Sequence, residues 1–256
     1  MSRQVPAHKH YLIIGRGRLA THLRHYLSLL NVPVTLWHRG LDASILQDMV
    51  ENASQILLCI KDDSIHQFIL DHHLPKDRCV HFSGSVHTPL AERVHPLFTF
   101  TPLLYSLEEY KRIPFIGELG GSHLNDMFPD FENPFFQIPK DQFPLYHALC
   151  VLGGNGMTAL WKYVIEKFEN ELGLPSDLLK PFAEKTMQNI FQDSRNALTG
   201  PWVRGDMGTI QKNILSIDDP KFKSVYEALA KTQLNEKFLP ASKEKKKVSP
   251  NIGGPT

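Results

Sequence analysis

Gly15-Arg16-Gly17-Arg18-Leu19-Ala20 follows the apolar run Tyr11-Leu12-Ile13-Ile14, and a helical pattern opens directly behind it. Strand, Gly-x-Gly-x-x-Ala turn and helix in that order suit the phosphates of a dinucleotide. Gly15 permits the sharp turn, Gly17 lets a pyrophosphate approach the backbone, and small Ala20 lets the helix pack on the strand. The phosphates would sit on the free N–H groups and positive dipole end of that helix. The next strand, residues 34–37, ends in His38-Arg39, and the first acid behind it is Asp42. NAD-binding chains usually place an acid there for the ribose hydroxyls, and such an acid would repel a 2′-phosphate. A guanidinium binds a phosphate bidentately, and Arg16 and Arg18 add charge nearby. The expected cofactor is NADP.

Three further segments carry groups that could act on a substrate. His81-Phe82-Ser83-Gly84-Ser85 ends a strand, and His95-Pro96 follows. A histidine can transfer a proton near neutral pH. Residues 146–156 read Tyr-His-Ala-Leu-Cys-Val-Leu-Gly-Gly-Asn-Gly, with His147 and Asn155 eight apart on a helix. The three glycines each cost about 1 kcal/mol relative to Ala in a helix interior. Either close helix packing or backbone approach to a ligand must offset that. In Asn196-Ala197-Leu198-Thr199-Gly200-Pro201-Trp202-Val203-Arg204-Gly205-Asp206, Gly-Pro breaks a helix and Asp206 can cap the next. Thr199 and Arg204 are candidates to hold a substrate carboxylate or phosphate.

The elements that position these groups follow from periodicity. Strands at 11–14, 34–37, 56–60 and 79–82 alternate with helices at 19–30 and up to residue 70, the latter capped by Asp63 or Ser64. Such alternation predicts an α/β fold, a doubly wound Rossmann sheet with ligands at the carboxyl ends of its strands. That rule gathers Gly15–Gly17, His38-Arg39, Lys61-Asp62 and Ser83-Gly84 on one rim. Short strands within 95–139 extend the sheet. An all-helical domain follows, with helices running to residue 172, from 177 to about 198, and from near Asp206 and Asp218. The expected boundaries are 8–139 for the Rossmann domain, 140–240 for the helical one and 241–256 for a disordered basic tail.

Composition excludes several classes. The 256 residues carry 28 basic and 27 acidic side chains, net +1. Without residues 243–256, which hold four lysines, the count is 24 against 26. No global field for nucleic acid exists. No apolar run reaches the roughly 18 residues of a membrane span, and the N-terminus lacks a signal-peptide core. Three cysteines without Cys-x-x-Cys spacing, and 13 histidines without ligand spacing, argue for a cytoplasmic protein with no metal site.

Taken together, Gly-x-Gly-x-x-Ala, His81-Phe82-Ser83-Gly84-Ser85, His95-Pro96-Leu97-Phe98-Thr99-Phe100, Leu145-Tyr146-His147-Ala148 and Ala197 to Asp206 resemble one group. It is the bacterial Rossmann-like proteins with a C-terminal helical domain of unknown function, relatives of pyrroline-5-carboxylate reductase in the 6-phosphogluconate-dehydrogenase-like class. The resemblance covers about residues 10–235. It implies a helical domain that dimerises and a substrate cleft between the two domains, but no reaction. The related β-hydroxyacid dehydrogenases carry a lysine four residues before a helical asparagine. If Asn155 matches that asparagine, the lysine position is Val151, and His147 is the nearest replacement.

The expected function is therefore NADP(H)-dependent reduction or oxidation of a small anionic carbonyl or imine compound. His147, Asn155 and His95 would be catalytic, Arg204 and Thr199 would bind substrate, and the nicotinamide would lie beside Ser83-Gly84. The rival is a non-catalytic dinucleotide-binding or regulatory protein. A methyltransferase fits less well, because its ribose usually also requires an acid after the second strand.

Overall fold

Tyr11–Ile14 (β1) is completely buried on both faces, as a strand inside a parallel sheet must be. Tyr11 and Ile13 enter one apolar core, Leu12 and Ile14 the other. The computed structural model describes residues 9–234. Its elements run Arg18–Leu29 (α1), Val34–Trp37 (β2), Ser44–Asn52 (α2), Gln55–Leu58 (β3), Ile65–Asp71 (α3), Cys79–His81 (β4) and Glu92–Pro96 (β5). Leu107–Lys111 (α4), Phe115–Glu118 (β6), Leu124–Met127 (α5) and Phe135–Ile138 (β7) complete the sheet region.

The seven strands are ordered β2-β1-β3-β4-β5-β6-β7, parallel except for the β5–β6 pair. The chain crosses from β2 over β1 to β3, so the crevice opens outside the carboxyl ends of β1 and β3. Register fixes those ends: Ile14 pairs with both Trp37 and Leu58, so Gly15, His38 and Cys59 leave the sheet side by side. α1, α4 and α5 pack with Tyr11 and Ile13, while α2 and α3 pack with Leu12 and Ile14. The sheet is doubly wound.

Helices follow from Phe143. Phe143–Cys150 (α6) passes through a π-helical stretch, Val151–Gly156, into Met157–Asn170 (α7). The glycines fall in that stretch, where π-geometry often marks a functional position. No neighbouring chain explains them: a Cβ at Gly153 or Gly154 would meet nothing within 4 Å among the described residues. The remaining helices are Leu179–Gln192 (α8), Pro201–Arg204 (α9), Met207–Ser216 (α10) and Pro220–Gln233 (α11). The two compact units, Met1–Tyr163 and Val164–Thr256, divide inside α7.

Two local expectations are corrected. α8 stops at Gln192, six residues short of 198, where Asp193 leaves helical geometry and its carboxylate binds Asn196. α3 has no side-chain cap. A 3-10 turn, Asp62–Ser64, leads into it, and the Asp62 carboxylate is turned elsewhere. The basic tail lies outside the described residues. No helix among those residues is long and apolar enough to cross a membrane.

Candidate functional site

A cavity of about 620 Å³ opens at the carboxyl ends of β1, β2 and β3. The glycine turn forms its floor. Gly15 has φ +129°, and a Cβ there would lie 2.1 Å from the Cys59 carbonyl oxygen, so only glycine lets β1 leave the sheet here. At Gly17 a Cβ would meet nothing within 4 Å, which leaves the backbone open to a ligand. α1 begins at Arg18 without a side-chain cap and without an acid in its first turn. Its first N–H groups are thus available to an anion.

The end of β2 supplies the charge. The Gly40 N–H donates to His38 Nδ1 (3.1 Å), which leaves the His38 proton on Nε2. The Arg16 guanidinium reaches the same turn, with Nη1 3.9 Å from where a Gly40 Cβ would be. Arg39 lines the cavity and is exposed. Asp42 turns away: its carboxylate accepts from the Ser44 N–H (2.9 Å), and these bonds to Ser44 hold it below the usual carboxylate range. These residues therefore present cations and donors, and no carboxylate, where a ribose 2′-position would lie. They fit NADP.

Of the residues expected to bind cofactor, Gly15, Arg16, Gly17, Arg18, Leu19, His38, Arg39, Lys61 and Ser83 line this one cavity. Ala20 does not. It is fully buried under α1, where its small size serves packing. Sequence reasoning missed the apolar wall of Trp37, Ile60, Ile65 and Phe68. The signal was there in part, since an aromatic at the end of β2 and another on α3 bracket the rim.

A second cluster sits one strand further along. Ser83 and Ser85 hydroxyls both donate to Asp62 Oδ2 (2.6 and 2.8 Å), and Ser83 Oγ accepts from the Val86 N–H (3.0 Å). This locks the Ser83-Gly84-Ser85 turn. Gly84 is absent from the cofactor cavity and lies under two imidazoles instead. A Cβ there would stand 2.5 Å from His147 and 3.0 Å from His95. The structure thus brings His95, His147 and Gly84 together, with the two rings 6.0 Å apart and perpendicular.

Periodicity explains the meeting. Arg93 and His95 share one face of β5, and Phe143, Tyr146 and His147 share one face of α6. The Arg93 guanidinium lies over the Phe143 ring at 4.0 Å, and His95 Nδ1 shares a 2.7 Å hydrogen bond with the Tyr146 hydroxyl. Burial, reinforced by His147, pushes His95 down to about 4, so this imidazole is neutral at pH 7. Burial likewise holds the Tyr146 hydroxyl protonated.

Residues 119–233 match the domain of unknown function DUF2520. The sheet has Rossmann-like topology, and this segment of the chain is similar to that domain. No curated protein matches the sequence. Among solved structures, a Bacteroides fragilis protein named for a proposed NADP oxidoreductase activity is similar at TM-score 0.70 and 20% identity, over 88% of this chain and 97% of that one. A Thermotoga maritima protein follows at TM-score 0.62 and 22% identity, over 87% and 96%. Plasmodium falciparum pyrroline carboxylate reductase, solved with NADP bound, gives TM-score 0.57 and 11% identity over 88% and 96%. At such identities the likeness is one of fold.

The DUF2520 segment contains the remaining expected site residues, Asn155 in the first unit and Thr199 and Arg204 in the second. Asn155 is exposed in the π-helical stretch. Thr199 and Arg204 are exposed in the second unit. The Gly-Pro break does not leave Arg204 on an open loop. Arg204 ends α9 instead, because Pro201 starts a helical turn and Gly205, at φ +63°, stops it. Asp206 does cap α10, accepting from the Thr209 N–H at 3.0 Å.

Proposed function

We propose that this chain is an NADP(H)-dependent oxidoreductase acting on a small anionic carbonyl or imine compound. One observation carries the reading: the glycine turn, the uncapped start of α1 and the Arg16–His38–Arg39 group line a single cavity. When bound, the cofactor supplies or accepts the hydride. The N–H groups of Gly17 to Leu19 would hold its pyrophosphate, and Arg16, His38 and Arg39 its 2′-phosphate. His95, kept neutral by burial and with Nδ1 engaged by Tyr146, would present Nε2–H as a hydrogen-bond donor above Gly84. His147, beside it, would give or take the proton.

Calorimetric titration tests the cofactor choice. NADPH is expected to bind at least about tenfold more tightly than NADH, a difference of about 1.4 kcal/mol. Arg39→Asp is expected to reverse that order by placing like charge against the 2′-phosphate. Equal affinities in the native chain sink the reading. Turnover of NADPH against a panel of small oxo and imino acids separates an enzyme from a binding protein.

The chain is also proposed to act as a homodimer through its helical half. Among the described residues of the second unit only Leu179, Ile210 and Ala230 are buried hydrophobics, while Phe191 is 84% and Leu215 68% exposed. Apolar surface on that scale marks an association site. Light scattering that finds a monomer at all concentrations refutes it.

A further inference from the structure

On the far side of the Ser83-Gly84-Ser85 turn lies another cavity, of about 400 Å³, lined by Ser85, His87, Arg93, Lys140, Asp141 and Phe143 with Pro144. All of these residues belong to the first compact unit. Arg93 is 4% exposed, an unusual place for a guanidinium without a full set of partners. Its Nη2 pairs with Glu118 Oε1 at 3.0 Å, and the same carboxylate oxygen meets His87 Nδ1 at 3.3 Å. Arg93 Nε is buried and finds no hydrogen-bond partner among the described residues. Glu118 therefore engages Arg93 at one nitrogen rather than as a two-pronged pair.

A purely structural ion pair has no reason to leave a buried donor unmet, since that costs about 1–3 kcal/mol. The Phe143 ring at 4.0 Å fixes the guanidinium plane. Lys140 adds an exposed ammonium and Ser85 a hydroxyl, while Asp141 brings one negative charge to the wall. The Ser85 hydroxyl is 3.3 Å from that of Ser83, which lines the cofactor cavity, so one turn separates the two spaces. Arg93 also shares its strand face with His95.

We propose that the Arg93–Lys140 cavity is the anion subsite of this protein and takes the carboxylate of a short-chain organic acid. A carboxylate matches the planar fork of Arg93 and would gain a second contact from Lys140. The proposal rests on the oxidoreductase reading for its role in catalysis, and it moves the anion contact from Arg204 to the first unit.

The test is calorimetric titration of the full-length protein with glutarate and with its uncharged counterpart glutaramide. Glutarate is expected to bind at least tenfold more tightly. Lys140→Gln should weaken glutarate several-fold, and Glu118→Gln should tighten it, because the competing carboxylate charge is removed. Arg93→Gln should abolish the preference. The Lys140 and Glu118 variants keep the question open to refutation if loss of Arg93 prevents folding. Equal binding of the two compounds, or glutarate affinity unchanged in both Lys140→Gln and Glu118→Gln, overturns the subsite. NADPH titrated into the same samples judges the other reading separately. Glutarate selectivity without NADPH binding leaves the subsite and removes the oxidoreductase, whereas the reverse removes the subsite alone.

Discussion

The rim around Gly15 and the cluster around His95 occupy neighbouring parts of one sheet, yet they are made of different material. The rim is mostly backbone: a glycine turn, three strand ends in register and the start of a helix. The cluster is mostly side chain: two imidazoles, a phenol and a guanidinium brought from β5 and α6, about fifty residues apart. Backbone sites tolerate little, because a peptide group cannot rotate out of the way. Side-chain sites yield locally, and their chemistry is lost before their stability is.

The sharpest break in that contrast is Gly15→Ala. The new Cβ must displace the Cys59 carbonyl from 2.1 Å, in a conformation at φ +129° that alanine rarely adopts. The expected loss is about 3 kcal/mol or more, from strain and overpacking together, with NADPH binding gone. Urea unfolding checks it. A loss below about 1 kcal/mol would mean that the strand ends are not rigidly registered.

Acid separates the regions next. Burial, with Arg93 second, lowers His81 to about 4, and burial with His147 second lowers His95 equally; Asp62 opposes both shifts. Both values lie below the ordinary 6.5. Between pH 6.5 and 4 the unfolded chain therefore takes up protons that the folded chain refuses, and stability falls as pH drops through that window. The expected loss between pH 7 and 5 is about 2 kcal/mol for each imidazole, seen as a lower urea midpoint. His81→Gln should flatten the slope. The imidazole that it replaces is 1% exposed and accepts the Ser83 N–H on Nδ1, so it has no room to be charged. An unchanged slope in that variant would place the acid sensitivity elsewhere.

This difference in material also decides what could be read from the residues alone. The Rossmann sheet and the rim are written in local runs: apolar strands, Gly15–Gly17, and His38-Arg39 at the second strand end. The helical half was legible as helix, and its boundaries drifted where Asp193 and Gly205 stop helices by local geometry. His95 and His147 could be named as candidates from type alone. Their meeting over Gly84 could not, because it depends on a strand face of period two meeting a helix face of period three to four. Arg93 was missed entirely, since a lone arginine on a strand carries no local sign that it will be buried. Asp62 was placed on the rim, but its grip on two serine hydroxyls follows only from tertiary register.

The smallest stability effect, and the most specific, is expected at Gly84. A Cβ there meets imidazole atoms, His147 Cδ2 at 2.5 Å and the His95 ring at 3.0–3.1 Å, with no backbone atom among these contacts. Gly84 itself is buried, but the two imidazoles are only partly so and can swing aside, so Gly84→Ala should reduce stability by only about 1 kcal/mol. The displaced rings, however, no longer face the turn that separates the two cavities. Turnover should fall by at least about tenfold, while NADPH affinity, which depends on the glycine turn and α1, stays within about twofold. His147→Ala in the Gly84→Ala background provides the control: with the clash relieved it should restore stability but not turnover. Should Gly84→Ala instead unfold the chain as readily as Gly15→Ala, the cluster would be as rigid as the rim, and the contrast between backbone-built and side-chain-built sites would fail in this molecule.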